Sequence, residues 1–201
     1  IVGISLSTSD TSGVYIPIRH CETGTDLFGG TTPVPNQLPL DTVYKKLWPI
    51  LTNPNITKIG HNLKFDLHII SNMGWDTTKI RPLDDTMLLS YALHGSLHGH
   101  GLDELALKYL NHENIRFSSL FPAKTRDCDM HFDTLPISVA TPYAAEGTAI
   151  CLALYKLMRP ELDANPTLPS SVISCYSGED MRLWNSTYRS YYIDFFNKLP
   201  L

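Results

Sequence analysis

The spacing of apolar residues changes along this chain, and that change restricts the fold more than any other feature. Residues 1–7 read IVGISLS and residues 14–18 read VYIPI, with Ser12-Gly13 between them. A period of two sends successive side chains to opposite faces of a strand, so this stretch is a hairpin. From Asp41 the period lengthens to three or four. Asp41 suits the cap of a helix over TVYKKLWPIL, with Val43, Leu47 and Ile50 on one face and Asn53-Pro54-Asn55 after it. A short strand, TKIGHN, occupies 57–62. A helix follows from about Lys64, where Phe65, Ile69, Ile70 and Met73 keep the period and Gly74 stands just past its end. Asp84 or Asp85 caps the next helix, TMLLSYALHG, and LDELALKYL is a short amphipathic one. Tyr143–Met158 is the last of this group, with Pro142 in its first turn and Pro160 at its exit. Residues 21–40, 94–101 and 116–135 read as loops. Strands first, then helices alternating with a strand, define an α/β domain with a mixed sheet.

At 201 residues the chain is one domain with an extension, or two small ones. A hydrophobic share of 43% against 18% charged supports a packed core and excludes a disordered charged tail. No run of about 18 apolar residues occurs, so no span across a bilayer is expected. The start, IVGISLSTSD, lacks the basic region of a secretory signal, and beginning at Ile1 inside an apolar segment reads as a fragment. Sixteen basic residues against 20 acidic ones give −4. That balance argues against holding nucleic acid by charge alone, and leaves binding through metals and stacking. Cys21, Cys128, Cys151 and Cys175 form no Cys-x-x-Cys, as in a reduced intracellular protein. The chain divides into three units: a domain over 1–160, a Pro-containing linker over 161–176, and an amphipathic helix over 177–201. That helix carries an aromatic stripe of Met181, Trp184, Tyr188, Tyr191, Phe195 and Leu199.

Two runs carry the chemistry. In Ile59-Gly-His-Asn-Leu-Lys-Phe-Asp66 a strand gives way to polar residues and then to an acid in the first turn of a helix. The second run, Tyr143-Ala-Ala-Glu-Gly147, lies near the start of a later helix. With DDTMLLSYALHG and LDELALKYL between them in order, these residues resemble the 3′–5′ exonuclease (proofreading) domain of family A DNA polymerases. That domain is a member of the DEDD, ribonuclease-H-like superfamily, and the likeness covers about residues 1–160. It implies a three-layer fold, a mixed central sheet flanked by helices, with the first strand missing here. It also implies 3′-terminal phosphodiester cleavage with two Mg²⁺ or Mn²⁺ ions about 4 Å apart, held by carboxylate oxygens. Asp66 then falls on the second-motif metal ligand, and Tyr143 falls on the tyrosine that orients the attacking water. By the same resemblance His61, Asn62, Phe65 and Phe117 contact the terminal nucleotides. The implied partners are a single-stranded DNA 3′ end and a polymerase domain of the same parent chain, in the cytoplasm of a bacterial or phage-infected cell.

The departures from the pattern are equally specific. The third-motif Asp should stand four residues after the Tyr, on the same helix face, where this chain has Gly147. Glu146 is turned about 100° away and does not replace it. No Asp-x-Glu precedes the strand IVGISLS. Asp66 alone is too few ligands for two divalent ions, so the expectation is a metal-dependent exonuclease domain with impaired activity. Two alternatives stand beside it: an inactive scaffold or single-stranded-DNA-binding module of a polymerase, and a ribonuclease-D-like RNA exonuclease. His94, His98 and His100 lie among glycines in a loop, where helical spacing loses its meaning, so no zinc site is expected. Gly-x-Ser-x-Gly, P-loop and Gly-x-Gly-x-x-Gly motifs are absent.

Overall fold

The computed structural model describes residues 1–23, 31–122 and 130–165, so the aromatic helix expected over 177–201 lies outside the described residues. Strands β1 (Gly3–Leu6) and β2 (Val14–Pro17) pair antiparallel, with Ile4 opposite Ile16 and Leu6 opposite Val14. Helix α1 (Leu40–Leu51) covers this hairpin: its Val43 and Leu47 are buried with Ile18 against Ile4, Leu6 and Ile16. The helix begins one residue before Asp41. Pro39 is its N-cap, and Asp41 sits in the first turn, where a negative charge favours the helix dipole without capping.

Strand β5 (Lys58–Gly60) runs parallel to β6 (Leu83–Asp85), and helix α2 (Leu63–Asn72) makes the crossover that parallel pairing requires. Gly74 follows α2 at φ 86°, a left-handed position that a glycine adopts without strain. Leu67, Ile80 and Leu83 are buried here against Trp48, Leu51 and Leu63. Helix α3 (Thr86–His94) follows β6 directly. Residues Leu102–Leu105 form α4, which widens into one π turn over Ala106–Leu110.

Two features were illegible in the sequence. Strands β3 (Cys21–Thr23) and β4 (Thr31–Pro33) pair antiparallel inside the stretch read as a loop. Strand β6 was hidden because two of its three residues are aspartates, which strands disfavour. Burial and partners override that preference: Arg159 Nη1 lies 3.4 Å from Asp84 Oδ2, and Asp85 caps helices.

The last helix, α5 (Ile137–Asp163), is longer than its prolines suggested. It starts six residues before Tyr143 and passes through both Pro142 and Pro160, so the helix exit expected at Pro160 falls inside it. Its buried face overrides the breaker residues. Ile150, Leu154, Met158 and Leu162 pack with Leu89 and Leu105 into the main core. Fully burying side chains such as Leu154 and Met158 contributes about 1.5–3 kcal/mol each. In length and composition α5 could cross a membrane. Here it packs against α3, β1, β2 and β5. The α/β class therefore stands, with parallel and antiparallel pairing carried by three two-stranded sheets among the described residues.

Candidate functional site

The site forms where β5, β6, α2, α3 and α5 meet. Its hub is Asp85, which the sequence identified only as one of two candidate caps. The residue is 2% exposed. It accepts N–H groups from Met87 (2.9 Å) and Leu88 (3.3 Å) at the start of α3. It also accepts those of Asn62 (3.1 Å) and Leu63 (2.7 Å) at the start of α2. One buried carboxylate thus satisfies the free donors of two helix N-termini. Asn62 takes a left-handed conformation, φ 61° and ψ 45°, which turns the chain from β5 into α2.

That turn sets the places of His61, Phe65 and Asp66. His61 Nδ1 shares a hydrogen bond with Thr86 Oγ1 (2.9 Å), and burial holds the imidazole pKa below its ordinary value. Phe65 projects from the first turn of α2 and is 63% exposed. Asp66 beside it is accessible to solvent yet crowded by protein atoms. That desolvation, with the negative charge of Asp85 second, pushes its pKa up to about 6.

Helix α5 supplies the opposite wall. Tyr143, Gly147 and Cys151 are spaced by four and share a face. Cys151 is buried with Sγ 3.6 Å from Thr86 Oγ1, and the Thr86 hydroxyl also donates to Gly60 O at 3.2 Å. Burial raises the Cys151 thiol to about 12; the Thr86 bond opposes the shift, and the charges of Asp85 and Asp66 add to it. This face of α5 therefore feels both carboxylates. One turn earlier, a Cβ on Gly147 would have Leu102 Cδ2 as its nearest neighbour at 3.7 Å, ordinary contact, so a side chain has room to begin there.

Tyr143 is partly buried. Burial, then Asp103 and Glu146, raise its pKa, so its hydroxyl keeps its proton at neutral pH. Its ring lies 6.0 Å from Phe117 and 5.9 Å from Phe132. Phe117, expected in a loop, heads a 3₁₀ turn over Phe117–Leu120 and also meets Phe121 at 5.2 Å. It remains 39% exposed, so one part of the ring is buried in an aromatic cluster and another faces solvent.

A family model described as 3′–5′ exonuclease matches residues 2–163. The chain belongs to the 3′–5′ exonuclease family of DNA polymerase I. The exonuclease domain is 33% identical over 168 residues to DNA polymerase I of Pseudomonas aeruginosa, covering 84% of this chain and 17% of that one. It is 34% identical over 173 residues to DNA polymerase I of Rhizobium leguminosarum, covering 82% and 16%. It is 30% identical over 182 residues to the DNA polymerase of Escherichia phage T5, covering 85% and 19%. The chain thus spans less than a fifth of the length of these curated relatives. Among solved structures, Brucella melitensis NrnC with bound Mg²⁺ matches at TM-score 0.51 and 18% identity, over 92% of this chain and 85% of that one. NrnC bound to pGG matches at TM-score 0.51 and 17% identity over the same shares. At these identities the structures establish the fold.

Among the described residues, the donor set does not fit a two-cation centre. Asp66 offers one accessible carboxylate, Asp85 is committed to backbone N–H groups, and Gly147 offers nothing. Among the described residues no three His, Cys, Asp or Glu side chains converge on one point. At the end of α3 and in the loop after it, His94 and His100 use ring nitrogens to hold the fold, while His98 Nε2 is buried with no hydrogen-bond partner among the described residues. His94 Nε2 bonds Tyr109 Oη (2.6 Å), and His100 bonds Ser90 Oγ (2.8 Å) and the Gly95 carbonyl (2.7 Å). Sequence reasoning missed Asp85, Thr86 and Cys151 as parts of this site. The Asp-Asp-Thr run before an apolar helix was the available signal, and it pointed to a cap.

Proposed function

We propose that this exonuclease domain holds the 3′ end of a single strand beside a polymerase domain of the same parent chain, and that its own metal-dependent cleavage is impaired. The observation that carries the reading is Gly147. It lies on the face of α5 shared by Tyr143 and Cys151, has room for a side chain, and supplies no oxygen. Phe65 and Phe117 offer exposed ring surface, and stacking contributes about 1–3 kcal/mol per base without needing positive charge. That suits a net charge of −4. Tyr143, protonated at neutral pH, serves as a hydroxyl donor towards the terminal phosphate, and Asp66 is the remaining acidic oxygen donor. The polymerase relatives, bacterial and phage, support the partner domain and the setting.

The test is digestion of a 3′-labelled single strand with Mg²⁺ or Mn²⁺ by the domain within its parent chain. We expect saturable binding with cleavage near background. Gly147→Asp should raise cleavage more than about tenfold, since even residues that only support a metal ligand are worth 10–100-fold. Asp66→Ala should abolish the gain. Efficient cleavage by the unaltered protein, lost on Asp66→Ala, refutes the impairment; no binding of the strand refutes the whole reading.

A further inference from the structure

Glu146 is the acidic residue of the run Tyr143–Gly147, and it points away from the Gly147 face. Its carboxylate is occupied on both oxygens. Oε1 accepts from His112 Nε2 at 2.8 Å, and Oε2 accepts the Ile115 N–H at 2.7 Å. The side chain is 19% exposed. Both donors lie in the short stretch that leaves the π turn through Asn111, φ 50°, and delivers Phe117. A second tie holds the same stretch, from Asn114 Nδ2 to Asp103 Oδ1 at 2.7 Å. Phe117 then lies over Tyr143 and Phe132. A carboxylate suits this place because it accepts from a backbone N–H and an imidazole at once, and a charged acceptor makes the stronger bond.

We infer that Glu146 is a positioning residue: it fastens residues 112–115 to α5 and so sets Phe117 over Tyr143, where the base of a 3′-terminal nucleotide stacks. The inference rests on the 3′-end-binding reading. It gives the Glu of this motif a task that needs no metal.

The experiment measures amide exchange at Ile115 and affinity for a strand carrying 2-aminopurine at its 3′ end. The proteins are the unaltered domain, Glu146→Ala, Glu146→Gln, Phe117→Leu and the Glu146→Ala/Phe117→Leu double variant, all in the parent chain. Glu146→Ala should speed Ile115 exchange by about 10–100-fold, the range for one lost bond to a charged group. It should also weaken strand binding and reduce the quenching of the terminal 2-aminopurine. Glu146→Gln keeps one oxygen acceptor and should fall between the two. The double variant should bind no worse than Phe117→Leu, because Glu146 acts through that ring. Unchanged exchange at Ile115, or losses that add in the double variant, overturns the positioning role alone. Unchanged binding by Phe117→Leu overturns the 3′-end reading, and this role with it.

Discussion

Replacing Asp85 with alanine should be the most damaging single change in the site, and the structure sets its size. The substitution strips the acceptor from the N–H groups of Asn62, Leu63, Met87 and Leu88 at once. Loss of an N-cap costs about 0.5–2 kcal/mol, and here two helices lose one together. The site is buried, so water reaches the orphaned donors poorly, and each unsatisfied group adds about 1–3 kcal/mol before relaxation. The total comes to about 3–5 kcal/mol once α2 is allowed to fray. In a domain of this size each kcal/mol lowers Tm by about 2–4 °C, so the melt should fall by about 6–20 °C. Urea unfolding followed by circular dichroism measures it, with Asp66→Ala as the comparison, since Asp66 caps nothing. Asp85→Asn keeps one carbonyl oxygen and should lie between. A cost under about 1 kcal/mol for Asp85→Ala would refute the double cap. Stabilisation of the unaltered protein by millimolar Mg²⁺ that vanishes in Asp85→Asn would show that the carboxylate faces a cation instead.

Other perturbations test neighbouring parts. The Asp66 pKa stands at about 6, above its ordinary 3.8, so the folded state binds the extra proton and stability falls as pH rises from about 4 to 6; Asp66→Asn, measured without divalent cations, should be free of that slope, and a constant Tm difference across the window would contradict it. Gly147→Ala should stabilise the domain by about 0.5–1 kcal/mol in urea melts, because the Cβ meets only Leu102 at 3.7 Å and a helical glycine carries an entropic cost; a loss would mean that α5 cannot accept a side chain there. Arg159 bonds the buried Asp84 at 3.4 Å and grips Asp163 at 2.5 and 3.1 Å. Arg159→Met should therefore cost about 2–4 kcal/mol by leaving the buried Asp84 without its counter-charge, though its bond from the Asp85 N–H at 3.2 Å remains, and adding Asp84→Asn should recover part of the loss in the same melts.

Short-range chemistry was enough to read much of this protein. The alternation of IVGISLS and VYIPI gave the first hairpin, Gly74 marked the end of α2, and the run ending in Asp66 and the one beginning at Tyr143 were legible as helical. Gly147 was legible as a departure because positions four apart share a helix face. What the sequence could not show are the relations made by residues far apart in the chain. Asp85 looks like one local cap, and only the parallel pairing of β5 with β6 brings the start of α2 to its second oxygen. Leu83-Asp84-Asp85 is a poor strand by composition, and it becomes one because Arg159, 75 residues away, pairs with its buried charge. Prolines 142 and 160 mark local stops that a deeply buried helix face overrides. Phe117 and Glu146 were singled out in the linear order only through the family pattern, and nothing there joined one to the other. Their meaning comes from a loop folded back on α5, where bonds across some 30 residues decide which ring is held over Tyr143.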